Sequence, residues 1–196
     1  GFTPSTASWG GSFFDPDADG DPDLLYVESR FFDQGIEDLE PYRGPAWFFR
    51  NEWSEQGRLV HEGDVGLEAL DTWRASSTRD LDGDGVEDVV TSAAAAPSRL
   101  FLTNPVAGRG VVQIRLRGTD SPRDGRGAVV TLDVGDDRLR AWPGAADPYS
   151  TGSEPWVTFG LGEADAAGPL EIRWPSGRVQ TVESVEAGTL LVVTEG

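Results

Sequence analysis

The sequence predicts an all-β protein built from two different parts, and three observations support this prediction. The 196 residues include 25 Gly and 13 Pro, which break the chain too often for long helices and suit short strands joined by turns. An aspartate-rich segment occurs twice in the first half of the chain. After Asn104 the pattern changes to alternating strands separated by glycine turns. We therefore expect one part over residues 1–108 and another over residues 109–196.

The composition narrows the range of partners. The net charge is −18, and all 16 basic residues are Arg. Nucleic acid and anionic membrane surfaces are disfavoured as partners, because binding phosphate requires a basic surface. A cationic ligand fits, and a metal ion is the simplest one. The lack of Cys excludes disulfides and thiolate ligands, and the single His, His61, excludes a site with several histidines.

The two aspartate-rich segments share the pattern D-x-D-x-D-G-x-x-D. Alternate carboxylates in such a loop point at one centre, glycine at the sixth position permits a sharp turn, and the seventh residue offers its backbone carbonyl. Oxygen ligands in this number suit Ca²⁺ better than Mg²⁺. The predicted ligands of two Ca²⁺ ions are Asp15, Asp17, Asp19, Asp23 and the Asp21 carbonyl, and Asp80, Asp82, Asp84, Asp88 and the Val86 carbonyl.

Neither loop is an EF-hand. The twelfth position, which in an EF-hand is a bidentate Glu, is Tyr26 in the first loop and Thr91 in the second. The residues that follow, "LLYV" (24–27) and "VVTS" (89–92), favour strands over helices. The ninth aspartate should therefore close each loop where a strand begins. A solvated acidic turn is the alternative, and two complete copies in matching context disfavour it.

The repeat extends beyond the loops. "WFFRN" (47–51) parallels "LFLTN" (100–104), and the two FxxN motifs lie 53 residues apart, from Phe48 to Phe101. The loops lie 65 residues apart, from Asp15 to Asp80. The first copy should therefore carry about twelve additional residues, which we assign to "ESRFFDQGIEDLEPYRG" (28–44).

These residues resemble the FG-GAP or VCBS repeats of integrin-type β-propellers. The resemblance covers about residues 8–108 and includes Gly66 and Leu67 before the second loop. It implies two propeller-type repeats, each with one calcium loop. A closed propeller needs about four to eight blades, and two repeats would leave open sheet edges. Three explanations stay open: the chain is a fragment, the tail covers the open face, or other chains complete the sheet.

The tail predicts a small C-terminal β-sandwich. Alternating strands are expected at 111–118, 128–134 and 170–174, with a fuller apolar run at 189–195. "DGRGAVVTL" (124–132), "FGLG" (159–162) and "EIRWPSGRVQTV" (171–182) resemble the ASPIC/UnbV domain, which follows VCBS repeats in many secreted bacterial proteins and in the cartilage acidic protein. The segment 141–156 departs from that pattern. The resemblance implies an architecture more than a function.

Other aromatic and ionisable residues are weaker candidates. Trp174 should pack inward at a turn, and His61 should lie on the surface at a strand end. The long insertion at 29–49 could contact a partner or cover the chain itself, and residues 141–156 could contact a glycan. The aromatic residues concerned are Phe31, Phe32, Tyr42, Trp47 and Phe48 in the insertion, and Trp142, Tyr149 and Trp156 in the second segment.

The sequence predicts a binding or assembly module and no enzyme. It contains no G-x-S-x-G, H-E-x-x-H or phosphate-binding glycine loop. Weak calcium sites of about 10⁻⁴–10⁻³ M fill at the calcium concentrations found outside cells. We therefore expect an extracellular, cell-surface or periplasmic location and a protein partner, further chains or further blades. The alternative is a calcium-dependent glycan-binding protein or glycan-active enzyme. No stretch has the roughly 20 apolar residues of a membrane span.

Overall fold

A computed structural model describes residues 6–30, 38, 40–52, 56–62, 71–94, 96–144, 151–152 and 155–196. The fold is all-β, as the sequence predicts, with sixteen strands in these residues. Within the same residues, no helix is long and apolar enough to cross a membrane.

The first four strands form an antiparallel sheet in chain order, which we call unit one. The strands are β1 (Thr6–Phe14), β2 (Asp23–Arg30), β3 (Ala46–Glu52) and β4 (Arg58–Glu62). The first aspartate loop connects β1 to β2, and a short 3₁₀ helix, Glu40–Tyr42, lies between β2 and β3. The strand predicted at "LLYV" is confirmed as the start of β2.

The next three strands repeat this arrangement and form unit two. They are β5 (Trp73–Arg79), β6 (Asp88–Ala93) and β7 (Arg99–Phe101), with the second aspartate loop between β5 and β6. The pairing of the first two strands is irregular at Trp9 in unit one and at Arg74 in unit two, which are equivalent positions. The Arg74 guanidinium lies 4.4 Å from the centre of the Trp9 ring, so the two irregularities meet.

Strand pairing corrects the expected alignment of the FxxN motifs. Leu24 pairs with Phe49 in unit one, and its equivalent Val89 pairs with Phe101 in unit two. Phe101 therefore corresponds to Phe49, and the predicted match with Phe48 is wrong by one residue. The physical reason is that hydrogen-bonded register, and not the similarity of letters, decides which side chains share a face.

The two units pack face to face. Leu25 and Val27 of unit one share a buried apolar cluster with Trp73 and Val89 of unit two. The Ser29 hydroxyl donates a hydrogen bond of 2.9 Å to the backbone carbonyl of Trp73. The units therefore share one core, and neither buries this face alone.

The remaining strands form the C-terminal unit, in which two main sheets enclose one core. Their orders are β10-β9-β13-β14 and β11-β8-β16, and β12 pairs with β15. Trp174 is buried in this core, as predicted. The strands are β8 (Val111–Arg117), β9 (Val129–Val134), β10 (Asp137–Ala141), β11 (Trp156–Gly160), β12 (Ala166–Ala167), β13 (Leu170–Arg173), β14 (Val179–Val182), β15 (Val185–Glu186) and β16 (Thr189–Thr194).

Candidate metal sites

The first aspartate loop, loop one, folds around the Asp15 carboxylate. The backbone N–H groups of Asp19 and Gly20 donate to Asp15 at 3.1 and 2.8 Å. Carboxylate oxygens of Asp15, Asp17 and Asp19 all lie within 4.8 Å of one another. Gly20 has a φ of 94°, a conformation that glycine adopts without strain. The glycine at the sixth position thus permits the turn that brings the carboxylates together.

The second loop, loop two, has the same local structure. Gly83 and Gly85 donate their N–H groups to Asp80 at 2.7 and 3.0 Å. Oxygens of Asp80, Asp82 and Asp88 lie within 4.8 Å of one another. The φ angle of Gly85 is 100°, close to that of its equivalent Gly20. Equal spacing in the sequence has therefore produced equal turns in two places.

The ninth aspartate ties each loop to the third strand of its unit or to the residues just after that strand. Asp23 accepts a hydrogen bond of 2.7 Å from the backbone N–H of Asn51, and Asp88 accepts one of 2.9 Å from that of Thr103. Both aspartates are buried. Asp23 lies outside the group of three in loop one, and in loop two the same is true of Asp84. These hydrogen bonds connect the position of the loop carboxylates to that of the sheet.

The carboxylates of loop one are crowded together, and two of them are buried. Burial raises the pKa of Asp15 to about 6, against the hydrogen bond from Gly20 and with added repulsion from Asp19. Burial likewise raises the pKa of Asp23 to about 7. Asp21 is raised to a pKa of about 7 by burial and by the charge of Asp19, and its Oδ1 is a buried atom without a hydrogen-bond partner. An all-oxygen donor set with unbalanced charge fits a hard divalent cation.

In loop two, carboxyl pKa values are also raised, although this loop is more exposed than loop one. Burial raises the pKa of Asp84, with repulsion from Asp82 as a further cause. Glu87, beside Asp88, is half-buried, and burial raises its pKa to about 7, reinforced by the charges of Asp15 and Asp80. Carboxylates of both loops therefore repel the charged form of Glu87.

The C-terminal unit covers loop one. The Arg109 guanidinium contacts Asp17 Oδ2 at 2.9 Å and Asp19 Oδ2 at 3.6 Å. Gly162 donates its N–H to the Ala18 carbonyl at 2.8 Å. At Gly160, a Cβ would overlap the Asp15 carboxylate and the backbone of Ala18. The Arg109 guanidinium and the backbone at Gly160 and Gly162 therefore pack directly against this loop.

Loop two receives less cover. The Gln113 side-chain amide donates to Asp80 Oδ2 at 3.0 Å. Beside the loop lies a groove of about 490 Å³ that Asp82, Asp84 and Trp156 help to line. Both of these aspartates are exposed. The carboxylates of loop two therefore face an open space.

The other predicted site residues are scattered. Trp47 and Phe48 belong to β3 and not to a loop, and His61 packs its ring against Trp47 at 5.0 Å. Trp142 is exposed, whereas the Trp156 ring lies near the Arg79 and Arg115 guanidinium groups. The insertion residues Phe31 and Phe32, and also Tyr149, lie outside the described residues.

No motif in the sequence marks Glu195, whose carboxylate accepts five hydrogen bonds. The consecutive N–H groups of Thr119, Asp120 and Ser121 donate to Glu195 Oε2 at 2.9, 2.9 and 2.7 Å. The Ser121 and Ser176 hydroxyls bond to Oε1. Burial alone would raise the pKa of Glu195, but these hydrogen bonds lower it to about 2.

The residues that cover the loops were also missed. Arg109, Gln113 and Gly160 lie far along the chain from the aspartates that they contact. A lone Arg between two glycines carries no local signal. Only the tertiary packing of the C-terminal unit reveals their role.

Comparison with known protein families supports the resemblance predicted for the C-terminal part of the chain. A family model described as ASPIC and UnbV matches residues 118–196. The ASPIC/UnbV resemblance of the C-terminal part is thus confirmed, while the match does not extend to units one and two. A comparison with curated proteins gave no match.

Proposed function

We propose that this chain is a calcium-stabilised binding or assembly module that works outside the cytoplasm. The observation that carries this proposal is the pair of equivalent loops, each of which gathers three carboxylates within 4.8 Å. The resemblance of units one and two to FG-GAP or VCBS repeats of β-propellers supports it. The ligands would be Asp15, Asp17, Asp19, Asp23 and the Asp21 carbonyl in loop one, and Asp80, Asp82, Asp84, Asp88 and the Val86 carbonyl in loop two.

Calcium in these loops has a structural role. A bound ion supplies the positive charge that the clustered carboxylates lack. Each loop joins the first two strands of its unit. Asp23 accepts a hydrogen bond from Asn51 of β3, and Asp88 accepts one from Thr103 just after β7. Ordering the loop therefore stabilises a whole sheet and the surface to which the C-terminal unit is bound.

The location outside the cytoplasm follows from the expected affinity. Loops of this kind in extracellular modules bind calcium with dissociation constants of about 10⁻⁴–10⁻³ M. Such sites fill at millimolar calcium and stay empty in the cytosol. The high negative charge of the chain is compatible with this environment.

Calorimetric titration with calcium tests the proposal. The intact chain should bind two ions, and Asp15→Asn with Asp17→Asn or Asp80→Asn with Asp82→Asn should each leave one. The matched control is Asp136→Asn with Asp137→Asn, two exposed neighbours where β10 begins, which should still bind two. Absence of binding to the intact chain would contradict the proposal.

The groove beside loop two favours a second function, calcium-dependent glycan binding. A calcium ion held there would lie next to Trp156, and aromatic faces stack on sugar rings. Oligosaccharides should then quench tryptophan fluorescence only with calcium present, and Trp156→Ala should remove the response. Trp142→Ala, at an exposed tryptophan away from that groove lining, is the control.

A further inference from the structure

The strand register shows which face of each unit takes part in the contact between units one and two. In each unit, side chains alternate between two faces. The rear face of unit one carries Leu25 and Phe48, which pair across β2 and β3. The front face of unit two carries Val89 and Phe101, which pair across β6 and β7. The rear face of unit one packs on the front face of unit two in a shared buried cluster.

The rear face of unit two is equivalent in position but uncovered. Val90 and Leu100 pair across β6 and β7, as Leu25 and Phe48 do in unit one. Leu25 has no exposed surface, whereas Val90 is 37% exposed and Leu100 is 54% exposed. Leu102, just beyond β7, is also 54% exposed. The C-terminal unit lies against the loop ends of both units and leaves this face open.

The front face of unit one is the matching open surface. Phe13, Leu24, Phe49 and His61 pair in one row across all four strands. Phe13 is 68% exposed, and the Phe49 ring lies 5.4 Å from the His61 ring. The equivalent row of unit two, which includes Val89 and Phe101, packs against the rear face of unit one. The chain therefore displays both halves of a contact that it already makes once internally.

We propose that a second copy of this chain seats the front face of its unit one on the rear face of unit two. The contact between chains would repeat the contact that joins the two units within one chain. The inference rests on the assembly part of the proposed function and names its surfaces. Because the two faces differ, each added copy leaves one of each kind free, and copies join head to tail or close into a ring.

The equivalence of the two units supports this occupant. Unit one and unit two share the same order of paired strands, and a rear face already meets a front face inside the chain. The open rear face of unit two, with Val90 and Leu100, is equivalent in register to the rear face of unit one, with Leu25 and Phe48, which unit two covers. A front face is therefore the surface that fits it, and the front face that is still open belongs to unit one.

Charge predicts how the association should respond to salt. Each copy carries a net charge of −18, so copies repel one another at low ionic strength. The proposed faces are mainly apolar, and salt screens the repulsion without weakening apolar burial. Association should therefore strengthen when sodium chloride is raised, the opposite of a contact held by ion pairs.

Sedimentation with three double variants tests the proposal in saturating calcium. The front variant is Phe13→Ser with Leu59→Asp, where Leu59 lies on the same face of β4 as His61. The rear variant is Leu100→Asp with Leu102→Asp. The control, Val179→Asp with Val192→Asp, changes equally exposed apolar residues of the C-terminal unit. All six residues are exposed, so the variants should fold, which circular dichroism checks. Concentrations should run from roughly 1 μM to 1 mM, the range of weak specific association.

The expected pattern is specific to a contact between unlike faces. The intact chain and the control associate, the front and rear variants are each monomeric, and a mixture of the front and rear variants forms a 1:1 dimer that cannot grow. A monomeric intact chain would overturn the proposal, as would a front or rear variant that alone dimerises as fully as the intact chain. Calcium calorimetry on the same samples measures calcium binding independently, so that a failure to associate is distinguished from a failure to bind calcium.

Discussion

The molecule holds buried carboxylates in two ways, which differ in how far the protein itself balances their charge. In the C-terminal unit, Glu195 accepts hydrogen bonds from three consecutive backbone N–H groups and two hydroxyls, and its pKa falls to about 2 despite its burial. In loop one, Asp15 accepts two N–H groups amid other carboxylates, and burial raises its pKa to about 6.

The difference teaches that burial by itself does not decide the charge of a carboxylate. Glu195 is as buried as Asp15, yet the protein supplies donors for its negative charge. Asp15 has Asp17 and Asp19 beside it, so every charge added to loop one repels those already present. The first arrangement is balanced within the protein, whereas in the second Arg109 opposes only part of the negative charge.

The largest expected effect of this contrast is the response to calcium. At a calcium concentration ten times the dissociation constant, each occupied site adds about 1.4 kcal/mol to the free energy of unfolding. Two sites should raise the melting temperature by about 5–10 °C relative to excess EDTA. Differential scanning calorimetry measures this shift. Equal melting temperatures in calcium and in EDTA would mean that the loops are incidental.

A smaller effect is expected from Glu195→Gln. The amide keeps the shape of the side chain but loses the charge-assisted hydrogen bonds and presents an N–H₂ group to donors. The melting temperature should fall by the same amount in calcium and in EDTA, because Glu195 does not depend on the loops. Glu183→Gln, at an exposed glutamate, is the matched control. A fall seen only in calcium would break the contrast.

The pH dependence of that variant sharpens the same contrast. The pKa of Glu195 is lowered from 4.5 to about 2 by its hydrogen bonds, so its contribution to stability is complete above about pH 4.5 and is lost as the pH falls towards 2. The gap in melting temperature between the intact chain and Glu195→Gln should therefore narrow from about pH 6 to about pH 3. A gap that stays constant would show that charge is not the cause.

The smallest effect concerns the two loops themselves. Arg109 places a cation against Asp17 and Asp19 in loop one. Arg109→Gln should therefore raise the calcium affinity of loop one by roughly two- to five-fold, the size of a partly exposed ion pair. Arg123→Gln is the control, and site-resolved calorimetry in the Asp80→Asn, Asp82→Asn background isolates loop one. An unchanged or weaker calcium affinity would show that Arg109 does not compete with calcium for the carboxylates of loop one.

Local features of the fold and site could be read from the sequence. The spacing of the aspartates and the glycine at the sixth position predict both turns, because these depend on residues within one short loop. The strands after the loops and the burial of Trp174 were likewise predictable from alternation and residue type.

Features that depend on distant contacts could not be read. The one-residue error at Phe48 arose because register is set between strands. Arg109 and Gly160 meet loop one only through packing of the C-terminal unit, and Glu195 meets its donors about 75 residues away in the chain. No local pattern marks these residues, since their roles arise from tertiary structure.

A crystal structure of the chain grown in millimolar calcium tests the central claim most directly. We predict one ion in each loop, with oxygen ligands at about 2.3–2.6 Å from the aspartates and the seventh-position carbonyls. Asp15, Asp17 and Asp19 should keep the positions that already bring their oxygens within 4.8 Å. Loops without ions, with their aspartate side chains turned apart, would contradict the claim that these carboxylates are arranged for calcium.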